Sequence, residues 1–278
     1  QPLSGLINKF GKKVILHLHN DWINNSLDIK YQNRVAKLIN KSAGIVTISE
    51  FMKKRILGIS NLDKSKVQVL KNCYDSSFEK SNYLMFDSKK LKKELGISDK
   101  DFVIVFCGRL VNEKGVWELM SAVKGIEFDY KLLIIGEIEY EREYSQKLLS
   151  ESKRNKNIIM TDYIEHSELY KYYKIANLAV VPSKWDEPAG LVVLECLKMN
   201  LPLIATRVGG IPEYVYGNNY VMCDTDNLEQ NLLVEIINAK HNIDAGNTIG
   251  NKKVIENKPY SSEEYYDGFV TMINKILE

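Results

Sequence analysis

Along most of the chain, short apolar runs rich in β-branched residues alternate with stretches whose apolar positions recur every three or four residues. The runs are KVILHL (Lys13 to Leu18), GIVTIS (Gly44 to Ser49), KVQVL (Lys66 to Leu70), FVIVFCG (Phe102 to Gly108) and KLLIIG (Lys131 to Gly136). They continue with NIIM (Asn157 to Met160), LAVVPS (Leu178 to Ser183), PLIAT (Pro202 to Thr206) and YVMC (Tyr220 to Cys223). Most are nearly continuous rather than alternating, the pattern of parallel strands covered on both faces. The stretches between them have readable ends. Ser49 is placed to cap EFMKKRIL, which Gly58 terminates, and Ser88 to cap SKKLKKELG, which stops at Gly96. A last helix opens at Ser261 or Ser262 with acidic residues in its first turn. Repeated strand–helix–strand units predict a doubly wound α/β fold.

The pattern breaks once. NCYDSSFEKSNYLMFDS, from Asn72 to Ser88, carries neither a helical nor a strand period. Only three strands precede it and six follow. Residues 1–80 therefore read as the back part of one Rossmann-like domain and 81–260 as a complete second one, with the helix of 261–278 packing back toward the first. The chain opens on Gln1 rather than Met, which with the three-strand count makes an N-terminally truncated protein the expectation.

Composition narrows the field of partners. Thirty-eight Lys and Arg against 36 Asp and Glu leave a formal net charge of +2, too even for a general nucleic-acid binder. No stretch approaches the roughly 20 apolar residues of a membrane-spanning helix. The four cysteines are dispersed with no CxxC pair, which suits free thiols in a reducing cytoplasm. The expected location is cytoplasmic, peripheral at most to the inner membrane surface.

In open parallel sheets ligands bind beyond the carboxyl ends of strands, so the loops there carry the candidate chemistry. After the fourth run comes GRLVNEKG, where Gly108 permits close backbone approach and Arg109 and Lys114 suit a diphosphate, or simply form a solvated basic loop. Neither a Walker loop nor GxGxxG occurs, which weighs against ATPase and NAD-dehydrogenase chemistry. After the seventh run comes PSKWDEPAGLVVLECL. Glu187 sits in its loop, a helix starts near Ala189 or Gly190, and Glu195 lies inside that helix. Backbone N–H groups around Gly190 and Leu191 form an anion site at the helix start. A carboxylate such as Glu195, flanked by VVL and CL, is costly to bury without partners, which favours function over surface decoration. RVGGIPE, after the eighth run, reads as a tight loop opening a helix, for ligand approach or plain turn chemistry.

In the first part, ILHLHND brings His17 and His19 to the end of a strand. His19 faces the expected interdomain cleft, His17 is structural, and Asp21 is a weaker candidate for acceptor contact. Trp22, Trp117 and Trp185 read as packing residues, with Trp185 notable for its place beside Glu187. There is no convincing DxD or His cluster for a metal.

FCGRLVNEKG, LLIIGE, PSKWDEPAGLVVLE and IATRVGGIPE, in this order, resemble glycosyltransferase family 4, the mostly retaining group with the GT-B fold. VTISEFMKKRI and VLKNCYD extend the resemblance more weakly into the first part. The Glu-x7-Glu spacing from Glu187 to Glu195 is its most specific element. The resemblance implies that Arg109 and Lys114 bind the donor's pyrophosphate, that Glu187 touches the transferred sugar and that Glu195 binds the ribose. It places Gly190 and Leu191 at the sugar and phosphates, Ile164 of TDYIEHSEL at the base through main-chain atoms, and His19 beside the donor sugar as a catalytic candidate with Glu187. Ala189 departs from it, standing where the family often has an aromatic residue. The implied reaction is transfer of a hexose-type sugar from a nucleotide diphosphate sugar, a UDP-sugar by preference, to a saccharide or lipid-linked acceptor. It would proceed with retention, without cofactor or metal, in polysaccharide or glycoconjugate synthesis. A nucleotide-sugar epimerase of the same fold and a silent nucleotide-sugar-binding subunit are the alternatives.

Overall fold

Alternate residues of the longest strands point to opposite faces, and both faces are buried. In β4 (Phe102–Cys107), Phe102, Ile104 and Phe106 enter one apolar cluster while Val103 and Val105 enter another. β5 (Tyr130–Ile135) divides the same way, Leu132 and Ile134 against Leu133 and Ile135. A strand with water on neither side must be apolar at every position, which is why these runs do not alternate. Each such side chain contributes about 1.5–3 kcal/mol by leaving water.

The computed structural model describes residues 7, 9–10, 13–20, 29–78, 86–138, 141–250 and 260–277. The chain divides into two compact units, one of Gln1–Cys73 with Tyr260–Glu278 and one of Tyr74–Pro259. The first holds a parallel sheet in the order β1 (Ile15–Leu18), β2 (Gly44–Thr47), β3 (Val67–Val69). Helix α1 (Ile29–Lys41) links β1 to β2, and α2 (Glu50–Leu57) links β2 to β3.

The second unit holds six parallel strands. β6 (Ile158–Thr161), β7 (Leu178–Val181), β8 (Leu203–Thr206) and β9 (Tyr220–Cys223) join β4 and β5 in the order β6-β5-β4-β7-β8-β9. The order runs outward in both directions from the β4–β7 pair, so the topological switch point lies between their carboxyl ends. Helix α3 (Ser88–Glu94) precedes the sheet. α4 (Val116–Ala122), α5 (Arg142–Ser152) and, after β9, α8 (Leu228–Asp244) feed the cluster under Ile104. α6 (Leu169–Ile175) and α7 (Leu191–Lys198) feed the one under Val105. The terminal helix α9 (Ser262–Leu277) belongs to the first unit, where Phe269 lies 5.9 Å from His17.

Caps follow local chemistry, with one correction. Ser49 accepts from the Met52 N–H, and Ser261 forms a reciprocal box with Glu264, accepting from its N–H and donating its own to the carboxylate. Before α3 the cap is Asp87 rather than Ser88. Its carboxylate takes the N–H groups of Lys89 and Lys90, while Ser88 is already helical. An anion with two acceptor oxygens serves an uncapped helix start better than a hydroxyl one residue further on. Gly96 then takes φ +66° just past the helix.

Candidate functional site

Two carboxylates and their partners organise the carboxyl end of the second sheet. Glu187 lies in the loop after β7, buried, with one oxygen receiving two donors. Lys114 Nζ and Ser183 Oγ each stand 2.5 Å from its Oε1. Lys114 ends a 3-10 turn, Asn112–Lys114, in the loop after β4, so the pair bridges the two loops that flank the switch point. A charge removed from water needs a counter-charge and hydrogen bonds, and Glu187 has both.

The backbone holds this pair in place. Gly115, at φ 70°, follows Lys114, and a Cβ there would collide with the Pro182 carbonyl. Only glycine lets the two loops approach this closely. The Lys184 N–H also donates to the Glu113 carbonyl at 2.7 Å, and its ammonium reaches Glu118 at 2.6 Å and Asn112 at 3.0 Å. From the other side Gly209, at φ 54°, lies against the Glu187 main chain so closely that a side chain would strike it. The Gly210 N–H donates to the Glu187 carbonyl at 2.6 Å. The glycine pair of RVGGIPE thus braces Glu187. Thr206, fully buried at the end of β8, donates to the Ser183 carbonyl at 2.6 Å.

Glu195 is equally buried but differently kept. It lies one turn into α7, with Oε1 2.9 Å from His166 Nε2 and Oε2 accepting from the Tyr173 hydroxyl at 3.0 Å. The hydrogen bond to Glu195 raises the pKa of His166 above its ordinary value against the opposing effect of partial burial, with Asp75 adding to the rise. Asp75 Oδ2 lies 3.9 Å from His166 Nδ1, and the Phe78 ring meets the imidazole edge-on at 5.4 Å. Burial drives the neighbouring Tyr173 phenol well above its ordinary pKa and pushes the Cys107 thiol up to about 12, so both stay protonated.

Gly190 caps α7 with no side chain, and no side-chain hydrogen bond closes the helix start. The first N–H groups, from Leu191 onward, are thereby left to a ligand or water. Leu191 itself is 47% exposed. Gly108, Arg109, Ile164 and His166 line one cavity of about 330 Å³, together with Cys107 and Tyr163. Tyr163 and Ile164 also border a second cavity of about 420 Å³, with Phe86, Lys90 and Tyr172 on its far side.

The sequence candidates therefore fall into two groups within one unit. Lys114 joins Glu187, whereas Arg109, Gly108 and Ile164 share a wall with the histidine that holds Glu195. Gly190 and Leu191 start the helix that carries Glu195. His166 was not among the candidates, although it stands two residues after Ile164 in TDYIEHSEL. Its signal was a histidine in a strand-end loop, the same position that made His19 a candidate. Ser183 and Tyr173 were also passed over. Neither has a local signature, because what matters is a partner 4 or 22 residues away.

In the first unit, His19 is exposed and its ring lies 4.3 Å from that of His17. His17 is half-buried, its Nε2 has no hydrogen-bond partner among the described residues, and burial followed by the repulsion of His19 lowers its pKa. Asp21 and Trp22 lie outside the described residues. Lys147 Nζ sits 3.7 Å over the Trp117 ring, a packing role, while the Trp185 indole N–H is buried without a hydrogen-bond partner. Among the described residues no group of three His, Cys, Asp or Glu side chains could hold a metal ion, and no helix is long and apolar enough to cross a membrane.

Comparison with known proteins agrees on the family. Residues 87–241, more than half of the chain, match the family described as glycosyl transferases group 1. An uncharacterised glycosyltransferase of Methanocaldococcus jannaschii is 28% identical over 177 residues, 63% of this chain and 45% of that protein. The capsular polysaccharide biosynthesis glycosyltransferase CapM of Staphylococcus aureus is 28% identical over 247 residues, 84% of this chain and 62% of its own. The chain thus spans about half the length of the curated relatives it matches. Among solved structures, HepE of Anabaena in complex with UDP and glucose superposes with a TM-score of 0.72 at 19% identity, covering 94% of this chain and 69% of that one. The α/β fold with parallel sheets is of the GT-B type. The chain belongs to the group 1 glycosyltransferases.

Proposed function

We propose that this chain binds a UDP-sugar at the carboxyl end of its six-stranded sheet and transfers a hexose-type sugar to a hydroxyl of a saccharide or lipid-linked acceptor, in polysaccharide or glycoconjugate synthesis. The observation that carries the reading is the gathering, at the carboxyl end of one sheet, of the Lys114–Glu187 pair, the uncapped start of α7 and the cavity walled by Arg109 and Ile164. A nucleotide diphosphate sugar needs those three things. It needs a polar pocket for the sugar, fixed positive charge for the diphosphate and a groove for the base and ribose.

In this reading Glu187 receives sugar hydroxyls, while Lys114, Arg109 and the N–H groups at Gly190 and Leu191 stabilise charge as it develops on the departing diphosphate. Ile164 offers main-chain atoms to the base, and Glu195 serves the ribose end. Since the cations come from side chains and a helix start, the reaction proceeds without metal. Retention follows if the acceptor attacks on the face the diphosphate leaves. His19 and Asp21 remain candidates for the acceptor side. Relatives named as a capsular polysaccharide biosynthesis glycosyltransferase and, in Salmonella typhimurium, a lipopolysaccharide 1,2-N-acetylglucosaminetransferase support the acceptor class.

A ligand that binds only the folded state raises its melting temperature. UDP-glucose, UDP-N-acetylglucosamine and GDP-mannose, each added in excess EDTA, form the test panel. The expected result is a rise with a UDP-sugar that survives chelation. A rise with none of the three contradicts donor binding, and one that vanishes in EDTA and returns with magnesium contradicts metal independence.

A further inference from the structure

Glu195 presents a problem for any ligand. Both of its oxygens are engaged, by His166 and Tyr173, and its side chain is only 9% exposed. The imidazole, by contrast, is 48% exposed and forms part of the cavity wall. What a ligand in that cavity meets first is the histidine, with the carboxylate behind it.

The setting defines the charge. Glu195 from α7 and Asp75 from the segment before α3 face the two ring nitrogens, and Phe78 closes the ring edge. Arg109 and Cys107 from the end of β4 and Glu137 from the end of β5 share the wall, as do Tyr163 and Ile164. Glu165 lies on the same segment, and the Tyr173 phenol from α6 reaches Glu195 from within. An imidazole hydrogen-bonded to one carboxylate at Nε2, with a second carboxylate 3.9 Å from Nδ1, is stabilised as the cation. Cys107 and Tyr173 are held neutral by burial.

We infer that His166 is a further donor-site residue, which fixes the Glu195 carboxylate at the ribose end and screens its charge from the diphosphate of the donor. The inference rests on the donor reading above. When the imidazole is cationic, the wall presents no net negative charge from Glu195 to an anionic ligand. When it is neutral, the carboxylate is uncompensated and repels the diphosphate. Donor affinity must then fall as pH rises through the raised pKa of His166. A histidine that merely packed against α7 would give no such dependence.

UDP-glucose is the suitable probe, because its doubly substituted diphosphate has no ionisation near neutrality. Calorimetric titration is run at about pH 6, below the ordinary imidazole value, and at about pH 8.5, above it. The wild-type chain should bind about tenfold more weakly at the higher pH, the size expected for one charge-assisted contact. His166→Gln should bind weakly at both pH values, with no slope. If His166→Gln keeps wild-type affinity and slope, the inference fails and the donor reading stands. If the wild-type chain binds no UDP-glucose at either pH, the UDP-sugar reading fails and the inference with it. A second readout uses the wild-type chain itself. The His166 proton resonance, identified by its loss in His166→Gln, should move on adding UDP-glucose and titrate at lower pH in Glu195→Gln. A resonance indifferent to both overturns the inference even if the binding variants fold poorly.

Discussion

Glu187 and Glu195 lie eight residues apart, both buried, and their surroundings differ in kind. Glu187 is met by a lysine, a hydroxyl and two glycines that press on its main chain. Glu195 is met by an imidazole and a phenol. The first is paired with a lysine ammonium group. The second is paired with an imidazole whose pKa is raised by the hydrogen bond between them. Identical side chains at a fixed spacing therefore do not perform identical work. The partner decides whether a buried carboxylate is a fixed structural charge or one coupled to pH.

The largest test of the contrast removes the lysine partner of Glu187. Lys114→Ala leaves Glu187 buried with the Ser183 hydroxyl beside it but without its ammonium partner. Breaking a buried pair on one side costs about 3–5 kcal/mol, read as a lowered denaturant midpoint. Adding Glu187→Gln to that variant should recover much of the loss, because the stranded charge is gone. A double variant as unstable as the single one would mean that Lys114 matters for packing rather than for charge.

The recovery would also show which parts of this site are legible in sequence. GRLVNEKG and PSKWDEPAGLVVLE named Arg109, Lys114, Glu187 and Glu195, and nine apolar runs named all nine strands of the described residues. Continuous burial and loop position leave a local trace. Boundaries drifted where a strand frays into a loop. LAVVPS ends at Val181 in the sheet because Pro182 cannot donate to a ladder. The Lys114–Glu187 bond was not legible, since it joins residues 73 positions apart. Phe78 was hidden in a stretch read as an aperiodic boundary, yet it is fully buried against Tyr173 and His166. A single aromatic anchor has no period to detect.

A smaller effect separates two histidines rather than two glutamates. The folded pKa of His166 is raised, so its stabilising contribution is complete below its unfolded value, about 6.5, and is lost as pH rises through the folded value. The folded pKa of His17 is lowered, so its contribution is complete above about 6.5 and is lost as pH falls through the folded value. In thermal denaturation, His166→Gln should flatten the alkaline decline and His17→Gln the acidic one, each by on the order of 1–2 °C. Both variants flattening the same limb would show that one of the two environments is misassigned.

The central claim is that the two carboxylates divide one donor between them, Glu187 at the sugar and Glu195, through His166, at the nucleotide. Calorimetric titration of Glu187→Gln and Glu195→Gln with UDP and with UDP-glucose tests it directly. Glu195→Gln should weaken both ligands, by about tenfold. Glu187→Gln should leave UDP binding intact and weaken only the additional contribution of the glucose. Loss of UDP affinity in Glu187→Gln, with none in Glu195→Gln, would contradict the account.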